Sequence, residues 1–110
     1  MADPMVLRLE ALDWAEEAPG VRAKRSEDAG ASWALVEYGA GAGRPEFCDV
    51  AHVGYVLDGE ITYDFSDGRE SIVARAGEGF TLPPGAPHRG TNNGAAPAVL
   101  LVFDEPYLGG

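Results

Sequence analysis

The sequence predicts an all-β protein, built as a small antiparallel β-barrel or sandwich. Short runs of apolar and β-branched residues recur along the chain, and turn-forming residues separate them, among them 15 glycines and 8 prolines. No long stretch shows the period of about 3.6 residues that marks an amphipathic helix. Many short strands with turns between them and almost no helix are typical of antiparallel sandwiches and barrels.

Residues 1–30 form a lead-in whose secondary structure is weakly marked. Residues 6–10 alternate apolar and polar side chains, which predicts an edge strand. Residues 11–18 could form one or two helical turns, but Pro19 and Gly20 end them and the stretch is too short for an independent helix. We therefore expect a lead-in segment rather than a helix of the core.

The next segment changes from charged to apolar. Residues 21–30 are polar and charged, and they predict a solvated strand or loop that turns near positions 28–30. Residues 31–38 predict a strand, and the glycine-rich run 39–43 a flexible connection after it. No helix follows these glycines, whereas a phosphate-binding loop should open a helix N-terminus, so a nucleotide site is not expected.

From residue 52 onward the strand signals come at short intervals. Asp58 and Gly59 predict a hairpin turn, and residues 66–69 and 92–97 predict two further turns. The strands that these turns separate are predicted at residues 52–57, 61–65, 71–76, 80–82 and 98–103.

The stretch 77–92, GEGFTLPPGAPHRGTN, holds one histidine in a rigid setting. Two consecutive prolines and Gly85 end the preceding strand, and Pro87 stiffens the approach to His88. A side chain held in this way suits metal binding or proton transfer. The alternative is a loop histidine that merely packs.

Length and charge limit the classes of protein that fit. The 110 residues, 45% of them hydrophobic, predict one domain over 1–110, with its core at about 31–103 and a C-terminal tail at 104–110. Eight basic and eighteen acidic side chains give a net charge of −10, which disfavours binding to nucleic acid or to an anionic membrane. The tail is expected to be mobile or to pack on a partner subunit.

The sequence also gives an expectation of where the protein resides. No signal peptide is evident at the start, and the longest apolar run, residues 98–103, is far shorter than the roughly 18 residues that suggest a membrane span. The single cysteine, Cys48, cannot form an intrachain disulfide, which agrees with a reducing compartment. We therefore expect a cytoplasmic protein.

The spacing within residues 77–92 resembles the second motif of the cupin superfamily. The matching positions are Gly77, Pro83, Gly85, His88 and Asn92. The resemblance implies a small antiparallel β-barrel, or double-stranded β-helix, of the jelly-roll type. It also implies that His88 is the last ligand of a metal ion inside that barrel.

The first cupin motif is matched only in part. Its closing positions are present as Tyr55, Val56, Leu57, Gly59 and Glu60. Counting back from them places Glu46 and Cys48 where the family has two histidines, and His52 where it has a glutamate. The sequence therefore departs from the pattern at all three ligand positions of this motif.

The substituted residues are themselves able to bind metal. Glu46 and Cys48 would share one face of an extended strand, and His52 has the same parity, so all three could converge on His88. A carboxylate with two imidazoles is the ligand set of non-haem iron sites, and a thiolate shifts the preference to zinc. We expect one divalent ion, with zinc favoured if Cys48 coordinates and nickel, iron or manganese if it does not. The alternative is a rim glutamate, a small core cysteine and a hydrogen-bonded strand histidine.

The predicted pocket takes its remaining residues from the neighbouring strands. Gly54 shares a face with His52 and would leave open space beside the ion. Four aromatic residues on strands near the motifs are candidates to line the pocket: Tyr38, Phe47, Tyr63 and Phe103. Strand parity alone leaves open which face each of them takes.

Three classes of function remain open at this point. The first, implied by the resemblance, is a metal enzyme of the dioxygenase, isomerase or decarboxylase type that acts on a small oxygenated molecule. The second is a non-catalytic module that binds or senses a small molecule and has a closed structural metal site. The third is a purely structural barrel. A homodimer is expected in each case, because so small a barrel leaves edge strands unpaired and cupins commonly pair sheets across subunits.

Overall fold

Two antiparallel sheets make up the computed structural model of the protein, which describes residues 5–27 and 32–104. A short 3-10 helix, Leu9–Ala11, precedes the strands of these ranges. The strands are β1 (Ala15–Ala18), β2 (Val21–Ser26), β3 (Trp33–Tyr38), β4 (His52–Asp58), β5 (Glu60–Phe65), β6 (Ile72–Arg75), β7 (Gly79–Leu82), β8 (His88–Thr91) and β9 (Ala98–Asp104). The predicted all-β, antiparallel fold is confirmed.

The larger sheet has the strand order β1-β2-β3-β9-β4-β7, and the smaller has the order β6-β5-β8. On several strands alternate side chains turn inward and meet in one core, as the two-residue period of a strand requires. On β3 these are Ala34, Val36 and Tyr38, and on β5 they are Ile61 and Tyr63. The barrel interior that would hold a site is thus formed from both sheets.

The chain changes sheets between β4 and β5. β4 pairs with β7 and β9, whereas β5 pairs with β6 and β8, so Asp58 and Gly59 form a corner between the sheets. The predicted hairpin at this point is therefore wrong. Gly59 has φ of +75°, and a β-carbon there would lie 2.5 Å from the carbonyl oxygen of Pro97. The corner needs glycine both for its backbone conformation and for this close approach.

The lead-in differs most from its prediction. Residues 6–10 form no strand, because the 3-10 helix Leu9–Ala11 takes up their second half. Strand β1 takes the place of most of the helical turns predicted over 11–18, because Ala15–Ala18 pairs with β2 across a turn at Pro19 and Gly20. Pairing with an existing strand satisfies the backbone of a segment that is too short to form a helix by itself.

Strand β2 has a mostly apolar inner face. Val21 and Ala23 are buried in the core, whereas Arg25, at the next position of the same face, lines the interior cavity. The strand predicted here is thus present, but Val21 and Ala23 are not solvated. The turn predicted at 28–30 and residues 105–110 of the predicted tail lie outside the described residues. In the part of the chain that the structure describes, no helix is long and apolar enough to cross a membrane.

Candidate metal centre

Three segments of the chain bring Cys48, His52 and His88 together. One donor atom from each residue lies within 4.8 Å of the donor atoms of the other two. His52 begins β4 and His88 begins β8, while Cys48 lies in the connection before β4. Two backbone hydrogen bonds join Cys48 to His88, with the Cys48 N–H donating to the His88 carbonyl at 2.8 Å and the reverse bond at 2.9 Å. The thiol is therefore fixed beside the imidazole by the backbone.

The His88 imidazole is oriented and neutral. Its Nδ1 lies 3.1 Å from the carbonyl oxygen of Ala86. A carbonyl can only accept, so Nδ1 carries the proton and Nε2 keeps a lone pair for a metal. The side chain is buried, and burial lowers the pKa of His88 below its usual value. Neutral imidazole is the form that binds metal.

Two further rings pack against His88. The His52 ring meets it edge-on at 5.2 Å between centroids, and the Tyr63 ring lies at 5.9 Å with an interplanar angle of 86°. Burial raises the pKa of the Tyr63 phenol well above its ordinary value, so this group stays protonated at neutral pH. Tyr63 thus offers a hydroxyl proton close to the group of three donors.

These residues line a cavity of about 270 Å³ inside the barrel. Glu46 also lines this cavity, but its side chain is exposed and it is not in the group of three donor atoms. The chain bends at positions 45 and 46, so the segment is not the extended strand on which the parity argument depends. Coordination by Glu46 stays a prediction.

Two of the four aromatic residues that were predicted to line the pocket do so. Tyr38 and Tyr63 line the cavity. Phe47 is 40% exposed and stacks under the Arg89 guanidinium, which lies 4.3 Å from its ring centroid. Phe103 packs edge-on against a tryptophan on β3, at 4.3 Å between ring centroids. Phe47 and Phe103 lie outside the set of residues that lines the cavity.

Gly54 serves the packing of the core rather than leaving open space beside the histidines. A β-carbon at this position would overlap the Phe80 ring and would lie 2.9 Å from the carbonyl oxygen of Leu101. The absent side chain thus lets a neighbouring aromatic ring pack directly on strand β4. Strand parity predicted that Gly54 shares a face with His52, but it gave no information about this ring, so the predicted open space is wrong.

Comparison with known protein families gives a match to the Cupin domain family over residues 33–104, which is more than half of the chain. The chain belongs to this family. No curated protein matches the sequence. The cupin recognition made from the second motif is therefore confirmed.

Solved structures share the fold at low sequence identity. An oxalate oxidase structure is 25% identical with a TM-score of 0.72, and the match covers 91% of this chain and 58% of that one. A sugar phosphate isomerase of the cupin superfamily from Silicibacter pomeroyi is 20% identical with a TM-score of 0.70, covering 91% and 74%. KdgF from Halomonas sp. is 20% identical with a TM-score of 0.70, covering 94% of both chains. This cupin spans about three fifths of the length of the oxalate oxidases.

The donor set of this cupin fits a divalent metal ion. Around a tetrahedral zinc ion, neighbouring nitrogen and sulfur ligands lie about 3.4 to 3.8 Å apart. Donor atoms within 4.8 Å of one another reach that spacing with small side-chain adjustments. One thiolate with two imidazoles is also a ligand set that zinc prefers.

Sequence reasoning missed an ion-pair cluster of this cupin, formed by Glu17, Arg25 and Arg44. The Glu17 carboxylate accepts hydrogen bonds from Arg25, at 2.5 and 2.7 Å, and from Nη2 of Arg44, at 2.8 Å. Both arginines line the cavity. No local sequence pattern indicates the cluster, because its members come from β1, β2 and the connection after β3.

The cluster gives a testable dependence of stability on pH. The hydrogen bond from Arg25, together with Arg44, lowers the pKa of Glu17 from 4.5 to about 2. A lowered pKa stabilises the folded state above the unfolded value, and this contribution is lost as the pH falls from about 5 to about 2. We expect Glu17→Gln to reduce the free energy of unfolding at pH 7 by about 1 kcal/mol, since solvent screens a pair so near the surface. Urea unfolding at pH 7 and pH 3 measures the effect.

The matched control for this prediction is Glu16→Gln, on the exposed part of the same strand. The loss in Glu17→Gln should be smaller at pH 3 than at pH 7, whereas Glu16→Gln should differ little from the wild type at either pH. An equal loss at both values in Glu17→Gln would contradict the ion-pair explanation.

Proposed function

We propose that the protein is a metal-dependent enzyme that acts on a small oxygenated molecule in the barrel cavity, with Cys48, His52 and His88 as metal ligands. The observation that supports this most is the convergence of these three donors on one cavity, within 4.8 Å of one another. His88 is also held in the neutral form and with its Nε2 lone pair free, as a ligand must be.

The number of donors favours catalysis over a closed structural site. Catalytic zinc sites use three protein ligands and keep a further position for water or substrate, whereas structural sites are closed by four. In the ranges 5–27 and 32–104 the group contains three donors, and Glu46 is outside it with an exposed side chain. A divalent ion held there would act as a Lewis acid on a substrate oxygen.

The chain's own residues would supply the proton transfers. The protonated Tyr63 phenol lines the cavity next to His88 and would donate a hydrogen bond or a proton to the substrate oxygen. Glu46, at the same cavity and exposed to solvent, is the candidate base. The names of two structural neighbours, an oxalate oxidase and a sugar phosphate isomerase, refer to small oxygenated molecules.

The experiment that tests this proposal starts with elemental analysis of protein purified without a histidine tag. We expect one equivalent of a divalent metal, zinc being favoured because of the Cys48 thiolate, with nickel, iron or manganese if the thiol does not bind. Cobalt(II) substitution then reports the ligands, because a thiolate ligand gives an intense charge-transfer absorption in the near ultraviolet. Cys48→Ser should remove that absorption, and Glu46→Gln should leave the spectrum unchanged.

Two other results would redirect the proposal. The absence of stoichiometric metal, and of any effect of a chelator on thermal stability, would remove its basis. A change of the cobalt spectrum in Glu46→Gln would show that Glu46 closes a four-ligand site. That result would favour the alternative function, a non-catalytic module that binds or senses a small molecule.

We also propose that the protein forms a homodimer through the exposed side of β4. Tyr55 and Leu57 on this strand are 44% and 49% exposed, and exposed apolar side chains on neighbouring positions commonly mark contact surfaces. Light scattering should give about twice the chain mass of 11.6 kDa. Leu57→Lys should shift the mass toward the monomer, while Val6→Lys, at a position 70% exposed in the lead-in, should not. A monomer mass for the wild type would contradict the proposal.

A further inference from the structure

The cavity of this acidic protein has a basic wall. The chain carries 18 acidic and 8 basic residues, yet the residues that line the cavity include three arginines, Arg25, Arg44 and Arg89, and one carboxylate, Glu46. The protein is negative overall, whereas the wall of its cavity is basic. Because a cleft with low-dielectric walls focuses the electrostatic potential, the cavity favours anionic ligands.

Arg44 is held at this wall by three hydrogen bonds. Its Nε–H donates to the Tyr38 hydroxyl at 3.1 Å, its Nη2 donates to Glu17 at 2.8 Å, and its backbone N–H donates to the carbonyl of Gly90 at 3.0 Å. The Tyr38 hydroxyl in turn lies against Gly90, where a β-carbon would come within 2.9 Å of the phenol oxygen. The guanidinium is thus held from two sides before any ligand arrives.

Some N–H groups of the fixed guanidinium are available to a ligand. It has five N–H groups, and two of its three nitrogens, Nε and Nη2, make the bonds described above. Within the described part of the chain, Nη1 of Arg44 has no hydrogen-bond acceptor. Nη1 and the second N–H of Nη2 form the fork that binds a carboxylate through two parallel hydrogen bonds.

The surroundings of Arg44 suit a small organic acid. Arg25 and Arg44 both bind the carboxylate of Glu17, and Arg44 does so through Nη2, which leaves its Nη1 to a ligand. The rest of the wall includes the apolar side chains of Val36, Leu100 and Val102, which suit a short hydrocarbon segment. A carboxylate on a short hydrocarbon segment would use both the fork and the apolar wall, whereas inorganic phosphate has no group for the apolar wall.

We propose that Arg44 binds the carboxylate of a small monocarboxylate substrate in this cavity. The inference deepens the proposed function, on which it rests for the reaction, while the binding of the carboxylate is a property of the Arg44 cluster itself. Tyr38 is a positioning residue here, because it holds the guanidinium through Nε and leaves the fork to the ligand.

The test uses the full chain, with and without one equivalent of zinc, and a pair of probes of equal shape. L-Lactate carries the carboxylate, and L-lactamide replaces it by a neutral amide. Nuclear magnetic resonance titration follows the side-chain Nε–H signal of Arg44 and yields the dissociation constants. We expect L-lactate to bind at least tenfold more tightly than L-lactamide and to shift the Arg44 signal in both metal states, since a charge-assisted pair is stronger than a neutral one.

Variants separate binding from folding. Arg44→Gln alone leaves the Glu17 carboxylate with one cation fewer, which affects folding as well as binding. The decisive comparison is therefore between Glu17→Gln and the double variant Glu17→Gln/Arg44→Gln. Both lack the Glu17 carboxylate, and they differ only in Arg44. The double variant should bind L-lactate at least tenfold more weakly than Glu17→Gln. The matched control is Arg22→Gln, on the same strand as Arg25 but paired with Glu37 outside the cavity, and it should bind L-lactate as the wild type does.

The outcomes of this inference and of the proposed function are distinguishable. Two results would overturn the carboxylate site even if the protein holds its metal. The first is equal binding of L-lactate by Glu17→Gln and the double variant, and the second is tighter binding of inorganic phosphate than of L-lactate. Binding of L-lactate through Arg44 in a protein that takes up no metal would support the site and remove the metal-dependent reaction. Binding that requires zinc and ignores Arg44 would place the carboxylate on the ion and overturn the inference.

Discussion

His88→Ala is expected to lower the affinity for zinc at least a hundredfold. Structural zinc sites, which have four protein ligands, bind with apparent free energies of roughly 10 to 16 kcal/mol, or about 3 kcal/mol for each ligand. The loss of one of the three ligands proposed here should therefore cost at least about two orders of magnitude in affinity. The loss should be large here because the Ala86 carbonyl orients the imidazole and burial keeps it neutral. Competition with a chromophoric chelator at fixed pH measures the affinity directly.

A control separates loss of a ligand from loss of packing. The His88 side chain is only 4% exposed, so its removal also destabilises the metal-free protein. The relevant quantity is therefore the stabilisation that zinc adds, which follows the ratio of free zinc to the dissociation constant. Glu46→Ala, at a cavity residue outside the group of three donors, should change the affinity less than threefold. An unchanged zinc increment in His88→Ala would contradict the proposed centre.

The sequence predicted the core of this fold because most of its strands are bounded by strong turn signals. β3, β5, β7 and β9 lie within one or two residues of their predicted limits. The short edge strand β1 was not predicted, since Ala15–Ala18 has no alternation of its own and is a strand only because β2 offers a partner. Tertiary pairing decides such segments, and local sequence does not show it.

The candidate site was predictable where the backbone is regular or where a motif fixes it. His52 and His88 begin strands, and Cys48 is bridged to His88, so these three lie together as the resemblance implied. Strand parity did not predict the position of the Glu46 side chain, because the chain bends at that point. The role of Arg44 was not visible at all, since its partners Glu17 and Tyr38 are 27 and 6 residues away in the sequence. Charge pairs between distant segments require the fold to be known.

The cupin spacing also contains a residue whose purpose only the structure explains, Asn92. Its side chain is fully buried, and its Nδ2 donates to the carbonyl oxygens of Tyr38, Gly39 and Ala96 at 3.1, 3.2 and 2.8 Å. Its Oδ1 accepts from the Gly94 N–H at 2.9 Å. One amide thus joins the end of β3 to the turn before β9.

Asn92→Ala is expected to lower the free energy of unfolding by about 3 kcal/mol, because each buried polar group left without a partner costs about 1 to 3 kcal/mol. Asn92→Asp keeps the shape and the acceptor but sets a carboxyl group against carbonyl oxygens, so it should destabilise the fold at least as much at pH 7. The adjacent and exposed Asn93 provides the matched control, and Asn93→Ala should stay within about 0.5 kcal/mol of the wild type. Urea unfolding of the four proteins makes the comparison, and an Asn92→Ala variant as stable as Asn93→Ala would show that the turn before β9 holds its position without this amide.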